Sequence, residues 1–250
     1  MRSLGGVADD PPAAAASRRS GRAALRVLRV VEDRRASSAD LARVIEADPG
    51  LSARVMRLAN SPYYGLSRRV GSASRAVVLL GFSAVRALAV SAAYGLLVDE
   101  SNDGLPGFWS HCVCAAVGAS CVARIAGAPM NDAFSAGLLH DVGLGLGAPL
   151  EDHAAAGAQS LEAWRFPDEL VVAVAEHHAV PALTDSMLTR LVRVGEALAV
   201  ATDATWGTDG RVLEVVDAVE DCGVAKGRVP RLLEEMSRES ERLARFLSGP

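Results

Sequence analysis

The chain is short of aromatic residues (4%), of lysine (Lys226 stands alone) and of histidine, with five in 250 residues. Ala, Leu and Val fill the place of the missing rings, and Ala and Leu favour helices, so the composition points to an all-helical fold with closely packed helices. Four cysteines (Cys112, Cys114, Cys121 and Cys222) are too few and too unevenly spaced for a disulfide framework. Cys112 and Cys114 form no CxxC knuckle, and positions i and i+2 point different ways on a helix, so small apolar core residues are expected there. No apolar run of about 18 residues lacks a charge: Ala84–Val98 is short and contains Arg86. The first 20 residues have no basic start followed by an apolar core, so no signal peptide is expected. These absences argue against a membrane span and predict a cytoplasmic protein. No strand-like alternation of useful length occurs.

What is present is an apolar half (50%) and a charge split that the net value of −4 conceals. Residues 1–98 carry 15 arginines against 7 acids, whereas residues 99–250 carry 11 basic and 23 acidic residues. A basic N-terminal half suits an anionic partner. No aromatic interleaving or reading motif accompanies the arginines, which argues against nucleic acid.

Residues 1–20 are rich in Pro, Gly, Ala and Ser and predict a disordered tail. From Arg22 helical patterns follow one another. Ser37-Ser38-Ala39-Asp40 offers a cap before Leu41, Val44 and Ile45 at helical spacing. Asp48-Pro49 starts a second helix, which Asn60-Ser61-Pro62 stops. Helices over 72–80 and 83–98 are divided by Gly81, and the polar stretch 101–107 is a junction. Beyond it the patterns predict helices at 108–127, then from an Asn131-Asp132 cap to His140-Asp141, 151–164, 167–178, 185–203, 210–222 and a charged final helix through Phe246. The expected organisation is a tail (1–20), a domain at 21–205 with halves at 21–100 and 105–205, and C-terminal helices at 206–250.

All five histidines fall between positions 111 and 178: His111, His140, His153 and the pair His177-His178. Asp141 adjoins His140, and Asp203 lies about a helix beyond the pair. Imidazoles mixed with carboxylates suit Fe, Mn, Ni or Zn better than Mg alone.

Two blocks carry a family resemblance. IEADPGLSARVMRLANSPYYGL (45–66) with VVLLGFSAVRALAVS (77–91) resembles the N-terminal half of an HDOD domain. FWSHCVCAA (108–116), AFSAGLLHDVGLG (133–145), HAAAGAQSLEAWRFP (153–167) and VAEHH (174–178) resemble its HD-derived half. The resemblance spans about residues 25–205. It implies an HD-like helical domain preceded by an N-terminal helical subdomain, of a kind that serves bacterial signalling as an output or regulatory module. The related HD and HD-GYP enzymes hold one or two divalent ions and hydrolyse phosphate esters. By motif, His111 matches their first histidine and His140-Asp141 the defining doublet. His153 matches the next, His177-His178 the paired histidines, and Asp203 the closing aspartate. Asp141 is thereby expected to bridge two ions.

The departures from the enzymes are equally specific. Leu144 stands where HD-GYP proteins carry a phosphate-binding lysine, no GYP follows His178, and Gly107 replaces a glutamate found in some relatives. The expectation is therefore a signalling module that acts through binding a protein or small ligand such as a nucleotide, with a retained metal site; the alternative is a metal-dependent phosphohydrolase acting on a nucleotide or cyclic dinucleotide. Tyr63, Tyr64, Arg68 and Arg69, at a YG stop followed by two arginines, are the candidate partner contacts.

Overall fold

A computed structural model describes residues 26–27, 29–30, 33, 35–61, 64, 70–93, 107–202 and 212–248. The expected tail and Tyr63, Arg68, Arg69 and Asp203 lie outside the described residues. Among those described the fold is all-α, with no strand. The helices are α1 (Ser38–Glu46), α2 (Pro49–Asn60), α3 (Ala73–Ala93), α4 (Phe108–Ala126), α5 (Met130–Leu139), α6 (Val142–Gly145), α7 (His153–Ala163), α8 (Asp168–Ala175), α9 (Met187–Thr202), α10 (Val212–Asp221) and α11 (Val229–Ser248).

Local chemistry sets the early boundaries. Ser37 caps α1 by accepting from Asp40 N, while the Asp40 carboxylate accepts from Ser37 N, a reciprocal box that satisfies two otherwise orphaned donors. Asp48 accepts from Leu51 N at 2.7 Å, with Pro49 in the first turn of α2. Gly81 interrupts α3 at φ 73°, a left-handed conformation that dispenses with a Cβ. The expected Asn131-Asp132 cap is corrected: α5 starts at Met130, after Pro129, with no side-chain cap. Asn131 is spent elsewhere, on the Tyr64 hydroxyl and on the Leu79 carbonyl of α3.

Helix α4 is the axis of the fold, packed by α5, α9 and α11. It is apolar and long enough to cross a bilayer, as is Ala73–Ser91, but 83% of its span is buried inside this fold, where it serves as a core helix. Close approach is enforced at Gly195 of α9, where a Cβ would stand 2.5 Å from the Ala115 carbonyl oxygen of α4. That contact sets α9 flush against α4 and fixes the depth of the residue that follows, Glu196.

The N-terminal helices are joined to the later ones by polar as well as apolar contacts. Arg86, 6% exposed on α3, donates to the Arg165 carbonyl at 2.8 Å and to the Trp164 carbonyl, and stacks 4.3 Å from the centre of the Phe166 ring. These carbonyls lie at the end of α7, where no intrahelical donor remains. Arg165 itself takes φ 58°. All four cysteines are free and buried, as the sequence predicts.

Candidate metal centre

The five histidines, spread over 68 positions of sequence, come together around one carboxylate. His111 projects from the first turn of α4, and His140-Asp141 closes α5. His153 opens α7, and His177-His178 follow α8. His111, His140, Asp141, His153 and His177 are all buried, whereas His178 is half exposed.

Asp141 divides the cluster into two sides. Its Oδ2 faces Nε2 of His140 at 3.2 Å and of His111 at 3.6 Å. Its Oδ1 faces Nε2 of His153 at 3.1 Å and of His177 at 3.4 Å. Within each side the two nitrogens approach closely, at 3.3 Å for His111 and His140 and 3.2 Å for His153 and His177. Donor atoms of His111, His140 and Asp141 form one group, and those of Asp141, His153, His177 and His178 a second.

The other ring nitrogens reveal the protonation pattern. His140 Nδ1 donates to the Gly137 carbonyl at 2.8 Å, His177 Nδ1 to the Val174 carbonyl at 2.6 Å, and His153 Nδ1 to the Leu150 carbonyl. A carbonyl can only accept, so Nδ1 carries the proton and Nε2 presents a lone pair in the neutral ring. Lone pairs therefore converge on a carboxylate whose buried Oδ1 has no well-aligned hydrogen bond. Such an arrangement repels itself unless a proton or a cation is shared. The donor set fits one or two divalent transition ions, with carbonyls orienting the imidazoles from behind.

In the ion-free chain a proton takes that part. Burial pulls His140 down, but the Asp141 charge and hydrogen bond outweigh it and raise the ring to about 9. Burial opposes ionisation of Asp141 too, yet the His140 charge, and the bonds that His140, His153 and His177 can donate when Nε2 is protonated, hold it well below the usual carboxylate range. The bond to Asp141 likewise raises His153. His178 is lowered, chiefly by burial.

Sequence reasoning missed Glu196, whose Oε1 lies 3.7 Å from His178 Nε2. The available signal was a single acid in the otherwise apolar stretch 194–201. Leu144, at the position of the enzymes' lysine, is a buried member of the core. Beside the Oδ1 side opens a cleft of about 770 Å³, lined among others by His177, His178, Arg190, Arg193 and Glu196. Both arginines are engaged. Arg193 binds the Asp185 carboxylate and the Glu176 carbonyl, and Arg190 binds the carbonyls of Asp221 and Leu183. Of the four candidate partner contacts only Tyr64 is described: it is half-buried, packs against the core and is hydrogen-bonded to Asn131 at 3.2 Å.

A helical scaffold that gathers a His-Asp doublet and four further histidines from separate helix ends is the arrangement of an HD domain. The HD domain profile matches residues 108–203. The HDOD domain profile matches residues 21–146, half of the chain, and the chain belongs to the HDOD family.

Solved structures share this fold. The "Putative phosphohydrolase" of Shewanella amazonensis SB2B superposes with a TM-score of 0.66 at 24% identity, over 93% of this chain and 98% of that one. The HDOD domain protein of unknown function from Geobacter sulfurreducens gives 0.63 at 22%, over 90% and 91%. The "Putative signal transduction protein" of Marinobacter aquaeolei VT8 gives 0.63 at 24%, over 91% of this chain and 59% of that one. At these identities the likeness establishes the fold alone. An uncharacterized protein of Treponema pallidum (strain Nichols) is 22% identical over 187 residues, 63% of this chain, and the chain spans only 36% of that protein.

Proposed function

We propose that this chain is a signalling module of the HDOD type whose HD-derived half retains a metal centre and uses it to bind a ligand or partner, not to turn over a phosphate ester. The metal part rests on Asp141, whose two oxygens each face a pair of imidazole nitrogens at 3.1–3.6 Å. A divalent ion held there would supply Lewis-acid polarisation of a ligand oxygen. Asp141 would bridge the two sides, and His111, His140, His153, His177 and His178 would complete the ligand set. Asp203 remains the candidate closing ligand.

The single observation that favours binding over turnover is Leu144, a buried apolar side chain in place of a phosphate-binding cation. Of the two arginines in the cleft, Arg193 is paired with the Asp185 carboxylate, and Arg190 is oriented by the carbonyls of Asp221 and Leu183. Asp185, Glu196, Asp217 and Asp221 outnumber these two arginines in the cleft lining, so a phosphate there would meet an excess of like charge. Tyr63, Tyr64, Arg68 and Arg69 are the proposed partner contacts at the N-terminal half, for a signalling protein or a nucleotide.

The test is a metal-loaded chain incubated with a panel of phosphodiesters, cyclic dinucleotides included, beside Asp141→Ala. The expected result is no turnover above the Asp141→Ala background, with a specific partner retained in a pull-down from the native host. Turnover that disappears in Asp141→Ala would establish the phosphohydrolase reading instead, which the bridging position of Asp141 favours.

A further inference from the structure

The two sides of the Asp141 centre differ in access. His111, His140, His153 and His177 are 2%, 0%, 3% and 3% exposed, so on both sides these four rings are enclosed, and only His178 is half exposed. On the Oδ1 side, His177 and His178 reach the wall of the cleft.

They also differ in how the imidazoles are held. His140, His153 and His177 each give Nδ1–H to the carbonyl three residues earlier, which fixes Nε2 as the atom offered to the centre. His178 follows another scheme. Its Nε2 faces the Glu196 carboxylate at 3.7 Å, while its ring lies 4.0 Å from that of His177 and 5.0 Å from that of His153, centre to centre. A carboxylate on the Nε2 side favours the tautomer with the proton there and leaves a lone pair on Nδ1, in a ring that has a nitrogen within 4.8 Å of the donors of Asp141, His153 and His177.

We propose that Glu196 is a positioning residue for His178, setting its tautomer and ring orientation so that the cleft-facing side of the centre holds its ion. The inference rests on the metal reading above and deepens it by naming the residue that supports the cleft-facing side. Glu196 suits the task because its neighbour Gly195 seats α9 against Ala115, so the carboxylate is presented from a rigid helix. It is not a catalytic residue, since it acts through His178.

The experiment titrates the full chain, stripped of metal by chelator, with Co²⁺ and follows both visible absorption and heat. The unaltered chain is expected to show a binding phase that His178→Ala removes. Glu196→Gln should weaken that same phase by about 10–100-fold, the usual cost of losing a carboxylate behind a metal-bound imidazole. In the His178→Ala background, adding Glu196→Gln should cost much less than it does in the unaltered chain, and with His178 present Glu196→Asp should lose less affinity than Glu196→Gln. A melting curve for each variant separates affinity from folding.

Unchanged Co²⁺ affinity in Glu196→Gln overturns the inference and leaves the metal reading standing. So does a loss that persists undiminished in the His178→Ala background. An unaltered chain that takes up no Co²⁺ overturns the metal reading, and this inference with it.

Discussion

Replacing Asp141 with Asn keeps the shape of the side chain and removes the charge on which four imidazoles converge. In the chelated chain the principal loss is the pair with His140. Lifting a buried histidine from the ordinary range to about 9 corresponds to about 3 kcal/mol of interaction. Removing one partner of a buried charge pair costs roughly 3–5 kcal/mol by independent experience. At about 2–4 °C per kcal/mol for a chain of this size, the melting temperature at pH 7 should fall by roughly 6–20 °C. The pH dependence has a definite sign. His140 is raised in the folded state, so its contribution is complete below the ordinary histidine range and is lost as pH rises through about 9. Asp141 is lowered, so its contribution is present above the ordinary carboxylate range and is lost as pH falls below it. The gap between the unaltered chain and Asp141→Asn should therefore be widest between about pH 5 and 7 and should narrow toward pH 10. Differential scanning calorimetry in EDTA measures it. Equal melting temperatures at pH 7, or a gap that widens at pH 10, would refute the coupling between Asp141 and His140.

Three further outcomes follow from the same contacts. Arg86→Met should destabilise the chain by roughly 2–4 kcal/mol, because two carbonyls at the end of α7 lose a charged donor, and denaturant melts should report it. Gly195→Ala should cost roughly 1–3 kcal/mol in the same melts, since the added Cβ would meet the Ala115 carbonyl oxygen and push α9 off α4. Metal uptake near pH 7 should release protons, because His140 and His153 are raised and must be neutral to bind an ion, and affinity should weaken as pH falls. Calorimetric titration in buffers of different ionisation enthalpy counts those protons.

Much of this was legible in the sequence because the relevant signals are local. The Ser37–Asp40 box, the Asp48-Pro49 start and the break at Gly81 each depend on a few adjacent residues, and the structure places all three where those residues predict. The convergence of five histidines was legible through the motif pattern, not through spacing alone. Two things were hidden. Asn131 looks like a helix cap in sequence, yet tertiary partners on α3 and at Tyr64 claim its side chain. Glu196 belongs to no motif, and only the packing of α9 on α4 brings it to His178. The engagement of Arg190 and Arg193 was equally out of reach, because their partners are mostly backbone carbonyls, which sequence does not advertise.

Transition-metal content per chain, measured by elemental mass spectrometry on full-length protein prepared without chelators, tests the central claim most directly. One or two ions per chain, lost in Asp141→Ala while the variant stays folded, is the predicted result. A folded, unaltered chain with no bound transition metal would contradict it.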